Sequence, residues 1–155
     1  MKTRLLRSQT LLAQKGFTLL EMLVVLVIIG LLAGLVGPKL FSQVDEAKMK
    51  TAKTQAKMLK GVLEVMRLDI SRFPTAEEGL NLLITAPTDE AIKPFWKGPY
   101  VEDGIIPVDP WNRPYQYDAR APSTGGLPFS LYSFGADGQA GGEGFDADIG
   151  YTPVQ

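Results

Sequence analysis

The chain of 155 residues contains no cysteine and no histidine. Those two absences remove whole classes of chemistry. Disulfide staples, lipid-anchored cysteine, thiol nucleophiles and histidine-based triads are excluded. So are zinc sites built from the usual sulfur and imidazole ligands. An excess of one charge is also missing: 16 basic residues face 17 acidic ones, for a formal net charge of −1. That balance argues against nucleic acid as a partner. A small domain outside the cytoplasm ordinarily needs a staple. With no cysteine, a hard metal ion held by oxygen atoms is the remaining candidate.

What the chain does have is unevenly placed. Its hydrophobic content is 45%, much of it in one block near the N-terminus, so the remaining core is modest. Residues 1–16 carry Lys2, Arg4, Arg7 and Lys15 and no acid; Phe17 to Gly37 is then hydrocarbon broken by Thr18 and Glu21. At about 1.5 Å per residue that run spans roughly 30 Å, one bilayer core. Basic residues ahead of it put the N-terminus in the cytoplasm and everything after Pro38 outside.

Glu21 is the anomaly, because an acid inside an apolar span is expensive. Three simpler readings compete. A cleaved secretory signal would have its apolar region over Met22 to Val36, at or above the usual ~7–15 residues, and would need an A-x-A-like site that is missing. A plain single-pass anchor leaves the acid unexplained. An acid near the membrane surface with no role is the third. The sharper reading gives Glu21 a partner. No basic side chain lies within the run. A cut after Gly16 would leave a free amine on Phe17, four residues before Glu21. That amine, from the same chain or a neighbour, would neutralise the carboxylate.

From Lys39 to about Phe73 the spacing predicts a helix, with Phe41, Val44, Ala52, Ala56, Leu59, Leu63, Met66 and Ile70 on one broad face. Lys48, Lys50, Lys53, Lys57 and Lys60 fill much of the remainder. They are expected to be solvated, with acidic surfaces of adjacent subunits as the functional alternative. Asp45 and Glu46 are placed to pair with Lys48 and Lys50. Gly61 weakens the helix by about 1 kcal/mol relative to alanine, which suggests close packing there. Residues 17–73 thus read as one long helix, bent or melted near Gly34, Gly37 and Pro38. "FPTAEEGLNLLI" predicts a second, short helix opened by a Thr75–Glu78 capping box. Strands are expected over Pro114 to Ala119 and Phe129 to Phe134, joined by a turn at Gly125–Gly126.

"GADGQAGGEGFDADIG" gathers Asp137, Glu143, Asp146 and Asp148 in a glycine-rich segment able to turn carbonyls inward toward a hard cation. An EF-hand is rejected: Gln139 and Gly141 occupy its third and fifth positions, and no long helix follows. A β-helix calcium nonapeptide is rejected too, since Asp148 stands where an apolar residue belongs and the pattern occurs once. A solvated acidic loop stays open as the alternative.

"KGFTLLEMLVVLVII" resembles the N-terminal signal of type IV pilins and pseudopilins. "RFPTAEEGLNLLI", "VDPWNRPYQY" and "SFGADGQAGGEGFDADIG" resemble the major pseudopilin family of type II secretion, so the likeness covers nearly the whole chain. Asn112–Arg113 departs from it, standing where that family carries glycine then asparagine; Asn112 tolerates the left-handed backbone such a turn needs. The lack of cysteine separates the chain from type IV pilins, which usually close their C-terminal region with a disulfide.

The resemblance implies an α+β fold: a long N-terminal helix, half transmembrane and half amphipathic, on a small antiparallel sheet with a metal-binding C-terminal loop. It implies a leader over 1–16, a transmembrane and assembly helix over 17–37, and a periplasmic globular domain over 38–155. It further implies cleavage between Gly16 and Phe17 by a prepilin peptidase, N-methylation of Phe17, and an assembly role for Glu21. Calcium would be held by Asp137, Asp148 and the Phe134 carbonyl, with Asp146 and Glu143 behind them. The implied function is structural, not enzymatic: a homopolymer growing from the bacterial inner membrane into the periplasm to support export of folded proteins. Minor pseudopilins, an inner-membrane assembly platform and, before assembly, membrane lipid would be its partners. A type IV pilus or competence-type fibre subunit is the alternative. A membrane-tethered metal-dependent enzyme is a further one.

Overall fold

The structure, a computed structural model, describes residues 16–154. The basic leader residues Lys2, Arg4, Arg7 and Lys15 lie outside the described residues. The chain divides into two compact units, Met1–Leu40 and Phe41–Gln155.

One helix, α1, runs Leu19–Ile70. Its start is fixed by a capping box. The Thr18 amide donates to Glu21 Oε2 at 2.9 Å, and the Glu21 amide donates to Thr18 Oγ1 at 3.2 Å. Two of the amides that a helix N-terminus leaves unpaired are thereby satisfied. The backbone stays helical through Gly34, Gly37 and Pro38, so the expected melting there does not occur. The helix ends three residues before the expected Phe73: Ser71 turns left-handed at φ 62° while its amide still reaches the Arg67 carbonyl at 2.8 Å. In the first unit every residue from Leu19 to Val36 is exposed, and among the described residues this is the stretch long and apolar enough to cross a bilayer.

In the second unit, Ala52, Ala56, Leu59, Leu63, Met66 and Ile70 recur at helical spacing and are buried. Phe41 and Val44, expected on that face, are instead 74% and 53% exposed. The buried stripe begins at Ala52 because the sheet and loops cover only the later turns. No ion pair joins Asp45 or Glu46 to Lys48 or Lys50 among the described residues.

The sheet has three strands in the order β1 (Gln116–Asp118), β2 (Ser130–Ser133), β3 (Ile149–Tyr151), all antiparallel, with Tyr117 opposite Leu131 and Leu131 opposite Tyr151. The first two lie within the expected segments; β3 falls inside the stretch read as acidic loop. Helix and sheet meet where side chains are smallest. A Cβ on Gly150 would lie 2.5 Å from the Leu131 carbonyl and 3.3 Å from the Ala56 methyl. Phe129, fully buried, stacks edge-on to Phe73 and lies 5.4 Å from the Tyr117 ring. Two tyrosine hydroxyls tie the sheet to the helix and its exit: Tyr115 to the Gln55 side chain at 2.8 Å, Tyr117 to the Pro74 carbonyl at 2.9 Å. Burial pushes both phenols well above their ordinary range, so they remain neutral donors.

The Thr75–Glu78 capping box forms as expected, with the Thr75 amide on Glu78 Oε2 at 2.8 Å. What it opens is not an α-helix but a 3₁₀ turn, Gly79–Leu83. Its leucines 80, 82 and 83 are all buried, and one short turn suffices to deliver them. The proline-rich segment that follows is pinned to the 3₁₀ turn and to the end of α1: Trp96 Nε1 donates to the Leu82 carbonyl, Lys97 pairs with Asp69 at 2.8 Å, and the Tyr100 hydroxyl donates to the same carboxylate.

Candidate functional site

The candidate residues fall into two separate groups. At the N-terminus, Gly16 and Phe17 are exposed and extend beyond the helix start. Glu21 lies within its first turn, with Oε2 held by both the amide and the hydroxyl of Thr18, at 2.9 and 3.0 Å. The carboxylate is therefore turned back toward the chain preceding the helix, where a terminus freed at Phe17 would begin. The helix N-terminal dipole favours a negative charge in this first turn. Thr18 is the residue that sequence reasoning missed. The signal was available, since Thr18–Leu19–Leu20–Glu21 is a T-x-x-E box like the one recognised at Thr75.

The second group is the loop between β2 and β3. Its two arms cross closely. The Ala136 amide donates to the Phe145 carbonyl at 3.0 Å, and the Asp148 amide to the Gly141 carbonyl at 3.1 Å. A Cβ on Gly135 would lie 2.5 Å from the Ala147 carbonyl, so this left-handed crossing requires glycine. Asp148 accepts the Gly141 amide with Oδ2 at 3.0 Å, while its Oδ1 is buried and without a hydrogen-bond partner. Asp137 is exposed, and its Oδ1 caps the Gln139 amide at 3.0 Å. Asp146 and Glu143 are exposed, and no hydrogen bond to the Phe134 carbonyl is formed among the described residues. A cleft of about 410 Å³ borders Asp148, lined also by Thr124, Gly141 and Thr152.

This donor set suits a hard, oxygen-seeking cation. A buried carboxylate oxygen without a partner is unfavourable unless something positive or protic meets it. Among the described residues no three carboxylates converge, so an ion would draw its remaining donors from backbone carbonyls, as hard cations do.

The base of the first arm rests on a buried acid that no motif announces. Asp109, 3% exposed, accepts the Trp111 and Arg113 amides with Oδ1 and the Ser133 hydroxyl with Oδ2. Asn112 takes the left-handed conformation expected of it, at φ 64°. Arg113 then reaches across the sheet end, its guanidinium donating to the Gly135 carbonyl and filling the space a side chain at Gly138 would need. The residue that departs from the resembled pattern thus braces the arm carrying Asp137.

Comparison with known proteins agrees with this architecture. Residues 39–152 match the sequence profile described as Type II secretion system (T2SS), protein G. Residues 11–37 match the prokaryotic N-terminal methylation motif. The type II secretion system core protein G of Pseudomonas aeruginosa is 46% identical over 140 residues, covering 88% of this chain and 94% of that one. The Vibrio cholerae protein of the same description is 41% identical, covering 92% and 94%. The Xanthomonas campestris one is 36% identical, covering 97% and 98%. The crystal structure of the major pseudopilin from the type 2 secretion system of enterohaemorrhagic Escherichia coli superposes with a TM-score of 0.58 at 28% identity, covering 72% of this chain and 92% of that one. A chain with this long capped helix, three-stranded sheet and methylation signal belongs to the type II secretion system protein G family and is a structural pseudopilin of that system.

Proposed function

We propose that this pseudopilin is cut between Gly16 and Phe17, methylated on the Phe17 amine, and polymerised from the inner membrane with its globular unit in the periplasm. The observation that carries the proposal is the Thr18–Glu21 box. It holds a carboxylate on Thr18, the residue next to the one that would become the new terminus. In the membrane Glu21 is satisfied only by its own chain. In the polymer a neighbouring Phe17 amine completes the pair, which favours leaving lipid for the stack. The peptidase, the assembly platform and the minor pseudopilins are the partners this route requires. The polymer supports export mechanically, and the carboxylates have no catalytic duty.

Calcium belongs to the same proposal. Asp148, Asp137 and the Phe134 carbonyl would hold it; when bound, the ion neutralises the clustered carboxylates and fixes a loop that no disulfide staples. Binding to the folded state alone stabilises that state by mass action.

Native mass spectrometry of the full chain extracted from membranes tests both parts. The expected species begins at Phe17, carries one methyl group on its terminus and retains one calcium ion, and the ion is lost in Asp148→Ala. A mature chain starting elsewhere overturns the processing assignment. A metal-free wild type under saturating calcium overturns the loop assignment.

A further inference from the structure

The turn from Asp109 to Arg113 holds one residue of the β2–β3 loop, Gly135, by both of its backbone groups. The Gly135 amide donates to Ser133 Oγ at 3.3 Å, and the Ser133 hydroxyl donates in turn to Asp109 Oδ2. The Gly135 carbonyl accepts from the Arg113 guanidinium. The same guanidinium lies against Gly138, where a Cβ would overlap it. It therefore spans the first arm of the loop from Gly135 to Gly138. Those two glycines directly follow Phe134 and Asp137.

The positive charge is fixed in that place. Arg113 Nε stands 3.8 Å from Asp109 Oδ2, too far for a hydrogen bond but within ion-pair range, and the Asp109 side chain is 1% exposed. A buried carboxylate needs such a partner. A guanidinium stays protonated and presents its donors in a rigid fork. It does for the first arm what a bound cation does for a loop: it offsets acid charge and ties down a carbonyl oxygen. The second arm has no equivalent. Among the described residues no basic side chain pairs with Asp146 or Asp148, and Asp148 Oδ1 is buried without a hydrogen-bond partner.

We infer that Arg113 is a built-in cationic staple for the first arm, so that withdrawal of a divalent cation loosens the second arm alone. Phe134 and Asp137 are held in place before an ion arrives, and the ion's remaining work is on Asp148. For the second arm this rests on the calcium reading above; the hold of Arg113 on the first arm does not. A neutral, shorter side chain, such as the asparagine that the resembled pattern carries at position 113, cannot supply the charge or the reach. The staple therefore belongs to the departure at Asn112–Arg113.

Hydrogen exchange of the full chain in detergent micelles, in excess chelator and in saturating calcium, reads the two arms separately. The Gly135 amide reports the first arm, the Asp148 amide, bonded to the Gly141 carbonyl, reports the second, and the Leu131 amide reports the sheet. In the wild type, chelation is expected to quicken exchange at Asp148 about tenfold and at Gly135 by less than about twofold. Arg113→Met keeps the stem and removes the charge and donors. In chelator it is expected to quicken Gly135 about tenfold over the wild type with Leu131 unchanged, and Arg113→Lys, which restores the charge, by about threefold. Wild-type Gly135 quickening as much as Asp148 overturns the staple, with no variant needed. So does Arg113→Met with Gly135 exchanging as in the wild type. Leu131 quickening as much as Gly135 in both variants overturns it too, because Arg113 would then hold the sheet and not the arm. A wild-type Asp148 amide indifferent to calcium overturns the calcium reading instead, while Gly135 still tests Arg113 in chelator alone.

Discussion

Two T-x-x-E boxes sit in this chain, and their difference is instructive. Thr18–Glu21 and Thr75–Glu78 share the same local geometry, each with the threonine amide on the glutamate and the glutamate amide on the threonine hydroxyl. Around Glu78 the fold has closed. Arg72 grips it with two bonds of 2.6 and 2.8 Å, and both side chains are about two-thirds or more buried. Around Glu21 nothing has closed: no basic side chain of the described chain reaches it, and every neighbour is exposed. Among the described residues the first box therefore lacks the cationic partner that the second has. Identical local chemistry serves folding at one site and is left for association at the other.

The largest effect expected from this contrast is on assembly. Glutamine is as good as glutamate in a capping box, because its carbonyl oxygen accepts the same amide. Glu21→Gln should preserve the helix start, insertion and cleavage, yet lower the cross-linked multimer fraction in membranes about tenfold, and Glu21→Ala should lower it as much. If Glu21→Gln assembles like the wild type and only Glu21→Ala fails, capping is the function of the residue and the comparison breaks.

Next comes the closed box. Arg72→Ala should leave assembly intact but destabilise the globular unit by about 1 kcal/mol at pH 7, read as a lower melting temperature. The Arg72 guanidinium, with help from Thr75, holds the Glu78 carboxyl below its ordinary range. A carboxyl lowered by folding contributes stability above its unfolded value, about 4.3, and loses that contribution as pH falls through the folded value. The gap between wild type and Arg72→Ala should therefore be full at pH 7 and shrink steadily below pH of about 4. A gap that does not change with pH would mean that Arg72 acts through its bond to the Phe73 carbonyl rather than through Glu78.

The same contrast explains what was legible in the sequence. Thr75–Glu78 stood out because Pro74 and polar neighbours framed it. Hydrocarbon on both sides hides Thr18–Glu21 in the sequence, so the acid looks like an orphan although Thr18 already holds it. The long helix and the first two strands were legible from period alone. The third strand was not, because Ile149–Gly150–Tyr151 contributes too few side chains to show alternation and follows a run of glycine and aspartate. Phe41 and Val44 share the helical period of the core but lie before the part of α1 that the sheet covers; periodicity reports a face, not where its cover begins. Of the loop, the acids were legible and their support was not. Asp109 and Arg113 act across 24 and 22 residues of separation, on Ser133 and Gly135, and no local pattern encodes such reach.

The smallest expected effect isolates the hydroxyls. Thr18→Val keeps the side-chain volume and removes the acceptor of the Glu21 amide, which has no other partner in the box. Hydrogen exchange at that amide, in the full chain in detergent micelles, should quicken about fivefold, the ordinary consequence of losing an N-cap. Thr75→Val removes the corresponding acceptor from the Glu78 amide, but there Arg72 continues to hold the carboxylate over the Thr75 amide, so the turn keeps most of its order. Exchange at Glu78 should quicken less than at Glu21. Equal quickening at both would show that the arginine adds nothing to the second box beyond its cap. A larger change at Glu78 would reverse the order of the two sites and place the fragile box inside the folded unit.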